Sequence, residues 1–358
     1  MLFETYTARK LMLKNRVVMS PMTRSRALVG NTPNVLMSEY YAQRASAGLI
    51  VTEGTSPSPN GVGYARIPGI YNQAQIDGWK LITKAVHDKG GKIVIQLMHT
   101  GRVTHLSNLP QGAQVLSPTA EICPGEMYSD SMGMQPHSLP KAMTQVDITE
   151  AVKEYTQAAI NAIAAGFDGV EIHAANGYLI EQFLNANVNK RSDSYGGSSA
   201  GRNKFAIEII DSITQAIGAD KTGIRISPFG AFNSTGEFAG LEEQFLDLVA
   251  HASKRELLYL HVLDHSAMGA PAVPHEYKLK LRQAFKGPFI LAGGFEKDSA
   301  EKVLGANEAD LIGFGRPFIS NPDLVERMKD GVALTPPDMS TFYAGEAKGY
   351  TDYAFATK

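Results

Sequence analysis

Between Arg16 and Gly331 the chain repeats one alternation: a short apolar, β-branched run, then a longer segment of helical periodicity. The strand-like runs are RVVMSPM, LIVTEGT, KIVIQLM, GVEIH, TGIRIS, LLYLHVLD, PFILAGGF and ADLIGFGRPF. Helical segments between them include SEYYAQRASAG, opened by Ser38 as N-cap and closed by Gly48, then DGWKLITKAVHDKGG and EAVKEYTQAAINAIAAGF. NKFAIEIIDSITQAIG, LEEQFLDLVAHASKR, DSAEKVLG and NPDLVERMKDG continue the series. Strand and helix alternating in this way, eight times over, predict an α/β fold of the (β/α)8 TIM-barrel type. The poorly alternating residues 1–15 are expected to form a hairpin cap under the barrel. From Thr100 to Lys141 no periodicity persists. A loop of that length inside a compact domain is usually functional, so it is read as an excursion over the active face after strand three.

A length of 358 residues admits two domains, yet barrels of this kind run as long in one, and residues 1–358 are read as one domain. The content of 44% hydrophobic and 20% charged residues is that of a soluble globular protein. A formal net charge of -2, with no basic run, excludes a strong nucleic-acid footprint. No apolar segment approaches the ~20 residues that span a bilayer, and MLFETYTARK lacks the apolar core of a signal peptide, so a cytoplasmic protein without membrane partners is expected. Cys123 is the single cysteine, which excludes internal disulfides and any cysteine-ligated cluster or zinc.

Chemistry concentrates in GVEIHAANGYLIEQFL. His173 ends a buried strand, and Asn176 and Tyr178 follow before a new apolar periodicity begins. In a continuous helix Tyr178 would point away from His173 and Asn176. A strand-to-loop transition lets all three donors converge at the carboxyl end of a strand, where parallel α/β folds place ligands. On these residues alone, a satisfied loop histidine beside a core tyrosine explains the pattern better. Gly293 and Gly294 end strand seven, and Gly315 and Arg316 end strand eight. Loops after those two strands form a phosphate site in many barrels, with glycine admitting backbone N–H groups to the anion. Tight turns alone would also account for the glycines, and pattern does not say whose phosphate is bound. Arg225 falls within strand five, where an arginine buried unpaired is costly.

The ordered set SPMTRSRA, TEGT, QLMHTGR, HAANGYLIEQFL, SYGGS, GIRISPF, GFGRPF and GYTDY resembles the old yellow enzyme family of flavin-dependent ene-reductases over nearly the whole chain. The resemblance implies a barrel carrying non-covalent FMN. Pro21, Thr23, Gly54 and Gln96 would face the isoalloxazine ring, Arg225 its pyrimidine edge, and Gly293, Gly294, Gly315 and Arg316 its phosphate. His173 and Asn176 would bind the substrate oxygen, and Tyr178, which keeps its proton at neutral pH, would protonate the α-carbon. Tyr350 resembles a tail residue that reaches over the substrate pocket, with plain packing on the barrel as the alternative. Met98 stands in the pocket where many relatives carry Trp, and Gly201 where Asn is frequent.

The implied activity is NADPH- or NADH-dependent, ping-pong reduction of activated C=C bonds in small α,β-unsaturated carbonyls, maleimides and nitroalkenes, by a monomer or homodimer. Within the fold, the alternative is a nitrate-ester or nitroaromatic reductase. Outside the family, the rivals are a metal-dependent barrel lyase using His99, His173 and Glu171, and a non-catalytic flavin sensor. The ene-reductase reading has no metal site.

Overall fold

The computed structural model describes residues 1–356. β1 (Tyr6–Ala8) and β2 (Leu11–Leu13) pair as the expected antiparallel hairpin. β3 (Val17–Met19) is followed by α1 (Val35–Gln43), β4 (Leu49–Thr55), α2 (Gln73–Asp88) and β5 (Ile93–Leu97). The excursion carries β6 (Leu116–Ser117), the hairpin β7 (Glu126–Ser129) with β8 (Gly133–Pro136), and β9 (Lys141–Ala142). Next come α3 (Gln145–Ala164), β10 (Gly169–Ala174), α4 (Leu179–Leu184), α5 (Ser199–Ile217) and β11 (Thr222–Ile226). α6 (Leu241–Lys254), β12 (Leu260–Leu263), α7 (His275–Ala284), β13 (Phe289–Ala292), α8 (Lys297–Gly305) and β14 (Leu311–Phe314) complete the series. The short α9 (Arg316–Ser320) and α10 (Leu324–Asp330) lead into the tail. β3, β4, β5 and β10 to β14 pair in parallel in that order and close, β14 returning to β3.

Alternation along each strand sorts side chains between two surroundings. Ile50, Ile95, Ile172, Ile224, Val262 and Ile312 face the helices and join the main core. Their neighbours face the barrel axis, and at its amino-terminal end these are apolar: Leu49, Val51, Val94, Tyr259, Ile290 and Leu311. Ala8 and Leu13 of the hairpin join this cluster, so the hairpin is the plug of the barrel floor. Fully burying such a side chain contributes about 1.5–3 kcal/mol. Tyr259 fits because Gly223 beside it has no side chain; a Cβ there would lie 2.5 Å from the ring. One layer higher the inward positions turn polar, with Gln96, Glu171, His173, Arg225 and His261 all buried.

Two expectations are corrected. α1 begins at Val35 rather than after Ser38, because the Asn34 side chain accepts the Met37 N–H and caps the first turn. Ser38 instead lies inside the helix and donates to the Leu81 carbonyl. The helix ends at Gln43, and Gly48 serves a close approach: a Cβ there would meet the Asn15 carbonyl oxygen at 2.0 Å.

Tyr350 does not reach over the pocket. It is fully buried and stacked on Tyr40, with ring centroids 4.1 Å apart and planes 8° from parallel. Three buried arginines impose this by gripping tail carbonyls. Arg26 donates to Thr341 and Phe342, Arg24 to Gly349, and Arg44 to Tyr350. Replacing Tyr350 with Ala should cost about 3–5 kcal/mol in urea unfolding. Tyr350→Phe should cost almost nothing, because the hydroxyl has no partner among the described residues.

Candidate active site

At the carboxyl end of the barrel a cleft opens above the polar layer. Pro21 and Thr23 reach it from the exit of β3. β4 contributes through a register shift between Val51 and Gly54. The Thr52 hydroxyl accepts the Gln96 N–H, and Glu53 turns away to accept from Tyr41 and from the Arg24 N–H. Burial raises the Glu53 carboxyl to about 7. Gly54 is thereby left facing the cleft beside Met98; a Cβ at Gly54 would lie 2.4 Å from Met98 Sδ.

Register places the charged groups. Gln96 stands opposite Glu171, and one layer up His173, Arg225 and His261 are successive partners across β10, β11 and β12. Glu171 accepts from Gln96 Nε2 at 2.8 Å, Tyr259 OH at 3.0 Å and His261 Nδ1 at 2.9 Å. Burial alone would push its carboxyl up, but the hydrogen bond from His261 Nδ1, the Arg225 charge and the Gln96 amide hold it below the usual carboxylate range. Glu171 is therefore ionised and balances Arg225, while burial keeps His261 neutral. Gln96, with its amino group held by Glu171, turns its Oε1 toward the cleft. Arg225 is buried, lines the cleft, and has no hydrogen-bond acceptor among the described residues.

His173 Nδ1 accepts the Ala175 N–H at 3.2 Å. Burial, then Arg225, hold the ring far below the ordinary histidine value, so it is neutral and its proton sits on Nε2. Asn176, at φ +61°, donates its N–H to Ser227 Oγ, and its Oδ1 faces His265 Nε2 at 2.9 Å, leaving Nδ2 for the cleft. Tyr178 stands edge-on to His173 with centroids 5.0 Å apart, and its hydroxyl lies 3.1 Å from that of Tyr64. Burial raises Tyr178 to about 12. Below this loop Glu181 accepts from the Gly177 N–H and Ser227 Oγ, and burial lifts it to about 8.

Gly293 and Gly294 leave β13 where Ala292 pairs with Gly313 of β14, so the two glycine turns are neighbours. Both glycines are needed: at φ +145° and +75°, a Cβ would meet Asp264 O at 2.5 Å and Ala267 Cβ at 2.6 Å. Gly315 and Arg316 follow at the start of α9, with Arg316 exposed and unpartnered among the described residues. Sequence reasoning missed Tyr343, which takes the place at the cleft expected of Tyr350, and also Tyr64 and His265. All three sit in aperiodic segments, and no local pattern marks them. Among the described residues no three His, Cys, Asp or Glu side chains gather as metal ligands.

A profile of the NADH:flavin oxidoreductase / NADH oxidase family matches residues 1–335. The chain belongs to this family, that of the old yellow enzymes. Like other members it is an FMN-dependent oxidoreductase with a reduced nicotinamide as hydride donor. A probable flavin mononucleotide-dependent alkene reductase from Leishmania infantum is 38% identical, the match covering 96% of this chain and 94% of that one. Morphinone reductase in complex with tetrahydroNAD superposes with a TM-score of 0.94 at 42% identity, covering 99% and 98% of the two chains. The old yellow enzyme homologue of Zymomonas mobilis gives 0.95 at 37% identity, covering 99% of each.

In this old yellow enzyme the raised Glu181 carboxyl has a signature in stability. Its folded-state value of about 8 lies above the ordinary 4.5, so the folded protein holds this proton more tightly than the unfolded chain. The associated stabilisation is present at low pH and is lost as pH rises through that window. Glu181→Gln should therefore gain stability relative to the parent between about pH 5 and about pH 9. Urea unfolding of both proteins checks this, and a difference independent of pH would place the carboxyl in water.

Proposed function

We propose that the chain is an ene-reductase, reducing the C=C bond of α,β-unsaturated carbonyls, maleimides and nitroalkenes in alternating half-reactions at one cleft. The observation that carries this reading is the convergence of three donors without acceptors among the described residues: His173 Nε2–H, Asn176 Nδ2–H and the Arg225 guanidinium. They stand beside a tyrosine held protonated. Such a cleft suits an electron-rich cofactor edge together with a substrate oxygen that gains negative charge.

The residues fit FMN. Arg225 would meet the pyrimidine edge, whose negative charge in the reduced state a fixed cation favours. Gln96 Oε1 offers an acceptor on the same side, and Pro21, Thr23 and Gly54 would flank the ring. Gly293, Gly294, Gly315 and Arg316 would take the phosphate. Bound FMN supplies the hydride chemistry, accepting from the nicotinamide and delivering to the alkene β-carbon.

The chain's own side chains then do three things. His173 and Asn176 hold the carbonyl or nitro oxygen and stabilise the charge that develops on it. Tyr178 OH delivers the proton to the α-carbon, so that hydride and proton together add one H₂ across the double bond. The tyrosinate left behind is reprotonated through the Tyr64 hydroxyl 3.1 Å away. Met98, packed with Val62 and Ile67 and against Tyr178, leaves room that a rigid tryptophan would fill, which suits alkenes with bulky β-substituents.

Purified protein should be yellow and bleach anaerobically with NADPH. Tyr178→Phe should leave that half-reaction nearly unchanged and slow reoxidation by cyclohexenone about 10²–10⁴-fold. Nitroalkenes should be slowed less, because the nitronate is stable enough to await protonation by water. Stopped-flow traces in which both half-reactions slow alike would remove Tyr178 from the chemistry, and a flavoprotein that no alkene reoxidises would sink the ene-reductase reading.

A further inference from the structure

We infer that His265 is a positioning residue that fixes which face of the Asn176 carboxamide meets the substrate. Its Nε2–H holds Oδ1 away from the cleft, so that Nδ2–H is what an occupant finds there. The inference rests on the reading that the cleft binds a substrate oxygen, and it assigns the orientation of Asn176 to a residue outside the cleft lining.

The Asn176 backbone is held from both sides. Its N–H donates to Ser227 Oγ at 2.9 Å, and its carbonyl accepts from Asn233 Nδ2 at 2.7 Å. What is left undetermined is rotation of the terminal amide, whose oxygen and nitrogen ends are nearly equal in size. A half-turn would put Oδ1, an acceptor, against an oxygen bearing negative charge. Only a hydrogen bond can decide between the two orientations, and His265 is the partner the structure provides for Oδ1.

The imidazole is itself fixed. It follows Asp264, which pairs with Lys278 at 2.6 Å and accepts the Ser266 N–H. The His265 carbonyl accepts the Met268 N–H, and Phe232 packs on the ring with centroids 4.4 Å apart. Nδ1 is buried without a partner among the described residues, beside Gly230, where an added Cβ would come within 2.9 Å of it. Burial and the nearby Arg225 lower this histidine to about 4, so it carries one proton. A proton on Nδ1 would be a buried donor with no acceptor, a rare and costly state. A bare lone pair there is tolerated more readily. The proton therefore lies on Nε2, where it donates to Asn176 Oδ1.

Long-range proton–nitrogen NMR of the holoenzyme at neutral pH reads the tautomer directly: His265 should be the neutral Nε2–H form, and an Nδ1–H form overturns the inference. Titration with a para-substituted phenol, whose phenolate accepts from His173 and Asn176 and gives a charge-transfer band over the flavin, reads the consequence. His265→Leu should weaken phenolate binding about tenfold. His265→Gln, which can still donate to Oδ1, should recover most of the loss, with FMN content unchanged in both. In an Asn176→Ala background His265→Leu should have no further effect; additive losses would mean that His265 acts on the fold and not through Asn176. A parent enzyme that forms no phenolate complex would sink the oxygen-binding reading instead, and the tautomer would still decide the His265 assignment.

Discussion

A guanidinium inside a β-barrel needs both a countercharge and acceptors, and Arg225 has only the first. Glu171 supplies the charge, yet its oxygens are taken by Gln96, Tyr259 and His261, and the Arg225 guanidinium donates to no acceptor among the described residues. The acceptors must come from what occupies the cleft. Much of the molecule serves to make that arrangement tolerable. An apolar floor sealed by the β1–β2 hairpin keeps water from the axis below, and the register of β5, β10, β11 and β12 stacks Gln96, Glu171, Arg225 and His261 in adjoining layers. On the proposed reading of the site, the cost of burying the cation is thereby turned into a preference for a ligand edge that carries negative charge.

The loop after β10 is held by a second polar set. Glu181 grips the Gly177 N–H and Ser227, Ser227 accepts from Asn176, and Asn233 closes on the Asn176 carbonyl. These bonds stabilise a left-handed conformation at Asn176 that an L-residue adopts only at some cost. The cost is met because that conformation brings Asn176 and Tyr178 to the same cleft as His173. Preorganised donors of this kind need not reorient while charge develops, which is where electrostatic catalysis gains most.

Legibility in the sequence followed how local each determinant is. Barrel strands were readable because a period of two and a length of a few residues are local properties, and LIVTEGT coincides with β4 residue for residue. His173 at a strand end and Arg225 within a strand were readable for the same reason, whereas the place of Gln96 came from the family resemblance; all three line the cleft together. The start of α1 was missed because Asn34 and Ser38 are both competent caps, and only the observed bond to Met37 distinguishes them. Tail positions were not readable at all. Whether Tyr343 or Tyr350 reaches the cleft is decided by arginines more than 300 residues away that grip tail carbonyls, and backbone acceptors leave no side-chain pattern to read. The roles of Tyr64 and His265 likewise arise from contacts between distant loops.

The claim that Arg225 is a cation awaiting a cofactor edge is tested most directly by measuring FMN affinity and the midpoint potential of the bound flavin in the parent protein, Arg225→Lys and Arg225→Met. The account predicts that Arg225→Met binds FMN more weakly and lowers the potential, because the charge that favours reduced flavin is gone. Arg225→Lys, which keeps the charge and loses the planar donor fork, should fall between the two. An Arg225→Met protein with unchanged affinity and unchanged potential would contradict it.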